Sequence, residues 1–120
     1  MAKLPKITVV TPSYNQAQFL DRTMRSVLEQ GYPNLEYIVI DGGSTDGSQD
    51  IIAKHARDLA WWVSEKDRGQ SEAINKGLKR ATGDWIAWQN SDDVYCPGAF
   101  ASLARAAARY SDADLIIGNV

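Results

Sequence analysis

Short runs of β-branched and aromatic residues alternate along this chain with segments in which apolar residues recur every three or four positions. The short runs are residues 7–10, 37–40, 61–63, 85–89 and 114–118, and they predict five strands. Strands that alternate with helices are typical of a parallel sheet joined by right-handed crossovers. We therefore predict an α/β fold, with a doubly wound and mostly parallel sheet that carries helices on both faces.

The segments between the runs predict four helices, at residues 20–28, 45–57, 70–82 and 97–110. Gly31 and Pro33 end the first helix, because glycine favours the position just past a helix and proline cannot continue one. Residues 45–50 supply caps for the second helix, and Pro97 suits the first turn of the fourth. The run at residues 85–89 predicts a buried strand, so the acidic residues that follow it should lie just past the carboxyl end of that strand.

Length and charge limit the class of protein. A chain of 120 residues forms one domain, and its 13 basic and 15 acidic side chains give a net charge of −2, which does not favour nucleic acid as a partner. The single cysteine, Cys96, excludes an internal disulfide. No apolar run is long enough to span a membrane, and the first residues lack the apolar stretch of a signal peptide. We expect a cytoplasmic protein, and peripheral attachment at the inner face of the membrane stays open.

Polar residues follow four of the predicted strands. Because the carboxyl ends of parallel strands meet at one edge of a sheet, where ligands bind in α/β folds, these residues should converge. They are Thr11, Ser13, Tyr14, Asp41, Glu65, Asp67, Arg68, Asp92 and Asp93.

Asp92 and Asp93 are neighbouring carboxylates that directly follow the fourth predicted strand. Two like charges repel each other and lose hydration when buried, unless a cation compensates. A divalent ion that also binds a substrate diphosphate would do so, and Mg²⁺ and Mn²⁺ both prefer oxygen ligands. The alternative is that the pair caps the next helix or decorates a turn.

Residues 41–48 form a loop rich in glycine and serine after the second strand. Its spacing matches neither the dinucleotide fingerprint nor the P-loop. Asp41 at the strand end could accept hydrogen bonds from a nucleobase or ribose, or instead from amides of the neighbouring loop. The guanidinium of Arg68 matches an oxyanion such as phosphate, or it pairs at the surface with Glu65 or Asp67.

In the order in which these segments occur, the chain resembles family 2-type glycosyltransferases, inverting enzymes with the nucleotide-sugar-binding GT-A fold. The resemblance covers residues 7–15, 30–36, 38–47, 64–70, 73–77, 81–84 and 90–93. It implies that residues 1–120 are a single nucleotide-sugar-binding domain, the N-terminal part of a longer enzyme. That enzyme would transfer a sugar from a nucleoside-diphosphate sugar, with a UDP-sugar as the first expectation, to a carbohydrate or lipid-linked acceptor in polysaccharide biosynthesis.

The resemblance also assigns roles to residues of this chain. Thr11, Pro12 and Tyr14 would line the nucleotide pocket, and Asp41 would lie beside the base or ribose. Asp92 and Asp93 would bind Mg²⁺ or Mn²⁺, with Asp92 also near the nucleotide. The ion would neutralise charge on the leaving diphosphate.

Two positions depart from the pattern of the family. Many relatives have a second acid where this chain has Gly42, so the base contact depends on Asp41 alone or on a different group, and the choice between uridine and guanosine stays open. Relatives often have the first Asp of Asp-x-Asp where this chain has Asn90, so ion binding should depend on Asp92 and Asp93.

In that family an Asp or Glu in the second half of the protein takes the proton from the acceptor. We expect this base beyond Val120, so that a chain of this length would bind the donor without efficient turnover; Asp112 and Asp114 are alternatives. A nucleotidyltransferase on a similar sheet and a binding module or truncated remnant without turnover are the rival functions. The loop at residues 11–15 lacks the glycines and basic residues that a nucleotidyltransferase would favour.

Other conspicuous residues predict structural roles. His55 has no partner histidine or cysteine at metal spacing, so a solvated or locally bonded histidine is expected. Cys96 is expected to be a small packed side chain. The four tryptophans, at positions 61, 62, 85 and 88, are expected to pack in the core or against helices, and sugar stacking by Trp88 is the alternative.

Overall fold

The structure, a computed structural model, describes residues 5–92 and 94–109, apart from the side chains of residues 107 and 108. Strands and helices alternate along these residues. The strands are β1 (Ile7–Ser13), β2 (Leu35–Asp41), β3 (Trp61–Ser64) and β4 (Trp85–Trp88). The helices are α1 (Ala17–Leu28), α2 (Ser48–Lys54), α3 (Gln70–Arg80) and α4 (Ala99–Arg109), with a short 3-10 helix at Ala56–Asp58 after α2.

The strands form one parallel sheet in the order β3-β2-β1-β4. In its register Ile7 of β1 lies beside Leu35 of β2 on one side and Trp85 of β4 on the other. The predicted α/β fold with a parallel sheet is confirmed. The fifth predicted strand, at residues 114–118, lies outside the residues that the structure describes.

Apolar side chains cover both faces of the sheet. On one face Ile7, Val9 and Val39 pack with Leu20 and Met24 of α1, and α2 and α4 add to the same cluster. On the other face Val10, Ile38 and Ile40 pack with Ala73 of α3. Helices therefore lie on both faces, as predicted, and the core alternates along β1 and β2 with the period of two that strands require.

Strand β4 is less buried than its sequence predicts. The prediction of a buried strand is wrong for Ile86 and Trp88, whose side chains are 49% and 62% exposed. Both share the face of Thr8 and Val10, yet α3 packs over β1 and β2 rather than over β4. Within the described sheet β4 is also an edge strand, so the expected core packing of Trp88 does not occur.

Two other boundaries differ from the sequence prediction. Strand β1 continues through Thr11, Pro12 and Ser13, because these residues pair with residues 39–41 of β2. Helix α2 ends at Lys54, earlier than predicted, and a 3-10 turn takes up residues 56–58. Over the part of the chain that the structure describes, no helix has the length and apolar character needed to cross a membrane.

Candidate functional site

A cleft opens where β1 extends beyond the end of its neighbour β4. Pairing between these two strands stops at Val10 and Trp88, with one further hydrogen bond from the amide of Gln89 to the carbonyl of Val10. Beyond that point β1 is paired only with β2. From β1 the chain adds β2 and β3 on one side, and it then returns to add β4 on the other side of β1. The gap between the ends of β1 and β4 is therefore the topological switch point, which is where α/β sheets bind ligands.

The cleft has a volume of about 710 Å³, within the range of sites that hold a small molecule the size of a nucleotide. The loops after all four strands contribute to its wall. The lining residues are Pro12, Ser13, Tyr14, Gln16, Gly42, Gly43, Lys66, Asp67, Arg68, Gly69, Gln70, Ala73, Asn90, Ser91 and Asp92.

Of the six residues expected around the nucleotide, four are brought together in this cleft: Pro12, Tyr14, Arg68 and Asp92. The side chain of Tyr14 is 59% exposed, which is unusual for an aromatic residue and leaves its ring open to a ligand. The positions of these four residues agree with the expected convergence of loops from different strands at one edge of the sheet.

Thr11 does not line the cleft. It is fully buried on the face of β1 that carries Ile7 and Val9, and its hydroxyl lies 2.8 Å from the phenol of Tyr37. Burial raises the pKa of the Tyr37 phenol, so this pair stays neutral. As placed here, the side chain of Thr11 supports the end of β1 from within the core and is not exposed to a nucleotide in the cleft.

Asp41 is also fully buried, and its carboxylate accepts four hydrogen bonds. The amides of Gly43 and Ser44 donate to Oδ2 at 3.1 and 2.8 Å, and the hydroxyl of Ser64 donates to the same oxygen at 2.8 Å. The hydroxyl of Ser44 donates to Oδ1 at 2.6 Å. The amides that donate to Asp41 therefore belong to the glycine-rich loop that directly follows it.

Side chains of the loops after β1 and β2 tie these loops to each other. The backbone amide of Asn15 donates to Oγ of Ser44 at 2.8 Å. The backbone amide of Thr45 donates to the side-chain oxygen Oδ1 of Asn15 at 2.8 Å. Asp46 accepts from the amide of Ala17 at 2.9 Å. These bonds hold the first turn of α1 and the glycine-rich loop at a fixed spacing on one side of the cleft.

Charges of both signs line the cleft. Lys66 and Arg68 supply two cations, and Asp67 and Asp92 supply two carboxylates. Lys76 lies nearby but is already paired with Glu65 at 2.8 Å, and this hydrogen bond raises the pKa of Lys76. The guanidinium of Arg68 forms no ion pair with any residue described by the structure, so the surface pairing with Glu65 or Asp67 is not made and Arg68 remains free to bind an anion.

Asp92 meets the requirement of an ion ligand in part. Its side chain is exposed at the cleft, within a turn after β4. Helix α4 starts only at Ala99, so Asp92 does not cap it. No group of three metal-binding side chains occurs in residues 5–92 and 94–109, and Asp93 lies outside those ranges. An ion held by Asp92 would therefore need further oxygen ligands, as Mg²⁺ commonly takes from phosphate and water.

The sequence alone did not single out Lys66 and Gln70 as lining residues. Their signal is positional, because both lie in the loop and first helical turn after β3, at the same edge of the sheet as the other lining residues. Ser13 also belongs to the cleft wall, but its hydroxyl is buried and has no hydrogen-bond partner among the described residues.

His55 and Cys96 lie away from the cleft. Nε2 of His55 is 2.7 Å from Oδ1 of Asp21, so the expectation of a locally bonded histidine is confirmed. The expectation of a packed cysteine is wrong, because Cys96 is exposed. The alternative bases Asp112 and Asp114 lie outside the residues that the structure describes.

The chain is similar to curated glycosyltransferases over most of its length. The uncharacterized glycosyltransferase alr2836 of Nostoc sp. is 38% identical over 95 residues, which are 77% of this chain and 30% of that protein. The glycosyltransferase TuaG of Bacillus subtilis, whose name assigns it to teichuronic acid biosynthesis, is 38% identical over 94 residues, covering 76% of this chain and 37% of TuaG. The chain thus spans about a third of the length of these relatives.

Solved structures agree with this similarity. The mannosyltransferase PcManGT from Pyrobaculum calidifontis, in complex with GDP-Man and Mn²⁺, superposes with a TM-score of 0.77 at 33% identity, over 92% of this chain and 33% of that one. TarS 1-349 of S. aureus, in complex with UDP-GlcNAc, gives a TM-score of 0.74 at 27% identity, over 89% of this chain and 31% of that one. The fold is the α/β fold of these GT-A neighbours.

The family model of Glycosyl transferase family 2 matches residues 8–120, nearly the whole chain. The matched region includes every residue that lines the cleft. The chain therefore belongs to glycosyl transferase family 2.

Proposed function

We propose that residues 1–120 form the single nucleotide-sugar-binding domain of a hexosyltransferase-like enzyme. The enzyme transfers a sugar from a nucleoside-diphosphate sugar to an acceptor hydroxyl, with inversion and with a divalent ion. Membership of the family supports glycosyl transfer, and the names of the solved neighbours, which bind GDP-Man and UDP-GlcNAc, support a nucleotide sugar as the donor. The teichuronic acid assignment of TuaG supports a carbohydrate acceptor.

One observation carries this proposal: cations and a carboxylate from opposite edges of the sheet meet in a single cleft. Lys66 and Arg68 follow β3, and Asp92 follows β4, at the other end of the strand order. A diphosphate needs cations around it, yet a carboxylate at the same site repels it. A further cation between the carboxylate and the phosphate oxygens would make both features compatible with a bound diphosphate.

We assign that further cation to Mg²⁺ or Mn²⁺, held by Asp92 together with Asp93. Carboxylate oxygens are the hard ligands that both ions prefer, and phosphate oxygens complete such sites. The Mn²⁺ in the PcManGT complex supports a divalent ion in this family. When bound, the ion stabilises the negative charge of the departing diphosphate.

Chain residues then position the donor. The exposed ring of Tyr14 and the adjacent Pro12 give a flat apolar surface for the nucleoside, and Arg68 donates to the diphosphate. Thr11 and Asp41 act beneath this surface by fixing the strand ends and the glycine-rich loop.

Inversion requires attack on the sugar from the side opposite the leaving diphosphate. The acceptor oxygen forms its bond to the anomeric carbon as the bond from that carbon to the phosphate oxygen breaks. The acceptor proton passes to a general base, for which we propose a carboxylate outside the described cleft residues. The nucleoside diphosphate leaves with the electron pair of the broken bond.

Calorimetric titration of the chain with UDP-, GDP- and dTDP-sugars, with and without Mn²⁺, tests the proposal. We expect binding of one or more of these donors that requires the ion. Asp92→Ala and Asp93→Ala should each weaken that binding by at least tenfold, about 1.4 kcal/mol. Asp50→Ala, which removes an exposed acid on α2, is the matched control and should leave the affinity unchanged. Unaltered affinity in both the Asp92 and the Asp93 variant would reject the ion site.

A further inference from the structure

The side chain of Asp67 fills the space that a side chain at position 42 would need. A Cβ atom added to Gly42 would lie 2.9 Å from Oδ1 and 3.0 Å from Oδ2 of Asp67. Real Cβ atoms do not approach other atoms so closely. Positions 42 and 67, which lie in different loops, therefore share one volume at the cleft wall, and in this chain the carboxylate in that volume comes from position 67.

Asp41 cannot supply a carboxylate to a ligand at this wall. It is fully buried, and both of its oxygens already accept hydrogen bonds from Gly43, Ser44 and Ser64. Asp67 is different, because it lines the cleft and only its Oδ1 is engaged, by the amide of Gly69 at 3.0 Å. Oδ2 of Asp67 accepts no hydrogen bond from any residue in the described part of the chain.

We propose that Asp67 is the residue of this chain that reads the nucleobase of the donor. The inference is based on the proposed function, since it assumes that a nucleotide occupies the cleft. The carboxylate of Asp67 reaches the volume beside Gly42 from the loop after β3. A side chain at position 42 would fit only if the carboxylate of Asp67 moved away from its present place.

The chemistry of a carboxylate defines which bases fit. An ionised carboxylate only accepts hydrogen bonds, so it requires an N–H on the edge of the base. Uracil and thymine offer one ring N–H, and guanine offers a ring N–H with an amino group beside it. Cytosine and adenine also carry an amino group, but the ring nitrogen beside it is unprotonated, and its lone pair would repel a carboxylate oxygen that faces it. Asp67 therefore selects uridine, thymidine or guanosine diphosphates over those of cytidine and adenosine.

Asp67→Asn provides the first test. The variant keeps the size of the side chain and an oxygen for the amide of Gly69, but it adds an NH₂ group that can face the base. With Mn²⁺ present, we expect the preference for the best-bound of UDP and GDP over CDP to fall by about tenfold, close to the discrimination of one good base contact. Inorganic pyrophosphate should bind no more weakly than to the unmodified chain. Glu65→Gln, which changes a neighbouring acid outside the cleft lining, should leave the preference intact.

A reciprocal swap provides the second test and separates base recognition from damage to the loop. Gly42→Asp alone should weaken UDP or GDP binding by about tenfold or more, because it collides with Asp67 and adds a like charge. Asp67→Ala alone should weaken it by a similar factor. The double variant Gly42→Asp/Asp67→Ala should regain most of the affinity and the base preference, since it restores one carboxylate to the shared volume.

The outcomes distinguish this inference from the proposed function. If the unmodified chain binds no nucleoside diphosphate in the presence of Mn²⁺, both the proposed function and this inference are wrong. If the unmodified chain binds UDP or GDP but Asp67→Asn keeps the same base preference, the inference alone is overturned. Failure of the double variant to recover affinity, with each single variant folded by circular dichroism, would also overturn it.

Discussion

Nε2 of Gln70 donates a hydrogen bond to Oδ1 of Asn90 at 2.5 Å. Gln70 is the first residue of α3, and Asn90 lies in the loop after β4, so this bond joins two walls of the cleft that come from opposite edges of the sheet. The resemblance to family 2-type glycosyltransferases predicts an aspartate at position 90. The amide oxygen of Asn90 makes the contact that an acid could also make, but without the negative charge.

Replacing Asn90 with aspartate should strengthen ion binding. Asn90→Asp keeps an oxygen that can accept from Gln70 and places a second charge close to Asp92. We expect affinity for Mn²⁺ to rise by about three- to tenfold, measured by calorimetry in the absence of nucleotide. Asn90→Ala, which removes the oxygen, should give no such increase. Equal Mn²⁺ affinity in Asn90→Asp and the unmodified chain would show that position 90 is too far from the ion to contribute.

The buried carboxylate of Asp41 should be costly to change. In Asp41→Asn an amide NH₂ would face the hydroxyl and amide donors of Ser44 and Ser64, leaving at least one buried group without a partner. We expect the free energy of unfolding to fall by about 2–4 kcal/mol in urea titrations. Asp50→Asn, at an exposed position, should change it by less than about 0.5 kcal/mol. Similar values for the two variants would contradict the structural role of Asp41.

The existence and type of the described elements could be predicted from the sequence because the signal is local. A run such as Tyr37 to Ile40 is apolar and β-branched, and the spacing of Leu20, Met24 and Val27 is that of one helical face. The end of β1 could not be predicted in this way, because residues 11–13 favour a turn by composition. They become a strand only through pairing with β2.

The same extension of β1 decides where two predicted site residues point. Once the strand continues to Ser13, its alternation places Thr11 on the face of Ile7 and Val9, inside the core. Asp41 lies on the corresponding face of β2, beside Tyr37 and Val39. The sequence predicted that both residues lie near the strand ends, but their direction depends on the register of the sheet. The exposure of Trp88 likewise depends on which neighbours cover β4.

Gly77 allows α3 to lie close to the sheet. A Cβ atom at this position would overlap both methyl groups of Val10 on β1. Gly77→Ala should therefore lower the free energy of unfolding by about 1–3 kcal/mol, although alanine is normally the better helix former by about 1 kcal/mol. Val10→Ala in the same chain should relieve the overlap, so the double variant should be more stable than the sum of the two single effects predicts. A Gly77→Ala variant more stable than the unmodified chain would contradict the close approach.

The ion-pair cluster around Asp21 should make stability depend on pH in the acid range. Hydrogen bonds with His55 and Lys54, together with the charges of Lys54 and Arg25, lower the pKa of Asp21 from 3.8 to about 2. Because the folded-state pKa is the lower one, the contribution of Asp21 is fully present above about pH 4 and disappears as the pH falls through 2.

The carboxylate of Asp21 is partly exposed, so solvent screening should limit this contribution to about 1 kcal/mol. Urea titrations of the unmodified chain and of Asp21→Asn at several pH values measure it directly. The difference in free energy of unfolding between the two proteins should be constant from pH 6 to about pH 4 and should shrink towards pH 2. Asp58→Asn serves as the control, since Asp58 is an exposed acid at the end of the 3-10 helix and its substitution should give a smaller change with pH. A difference for Asp21→Asn that is the same at pH 2 and pH 6 would mean that the pairs with His55, Lys54 and Arg25 do not stabilise the fold through the charge of Asp21.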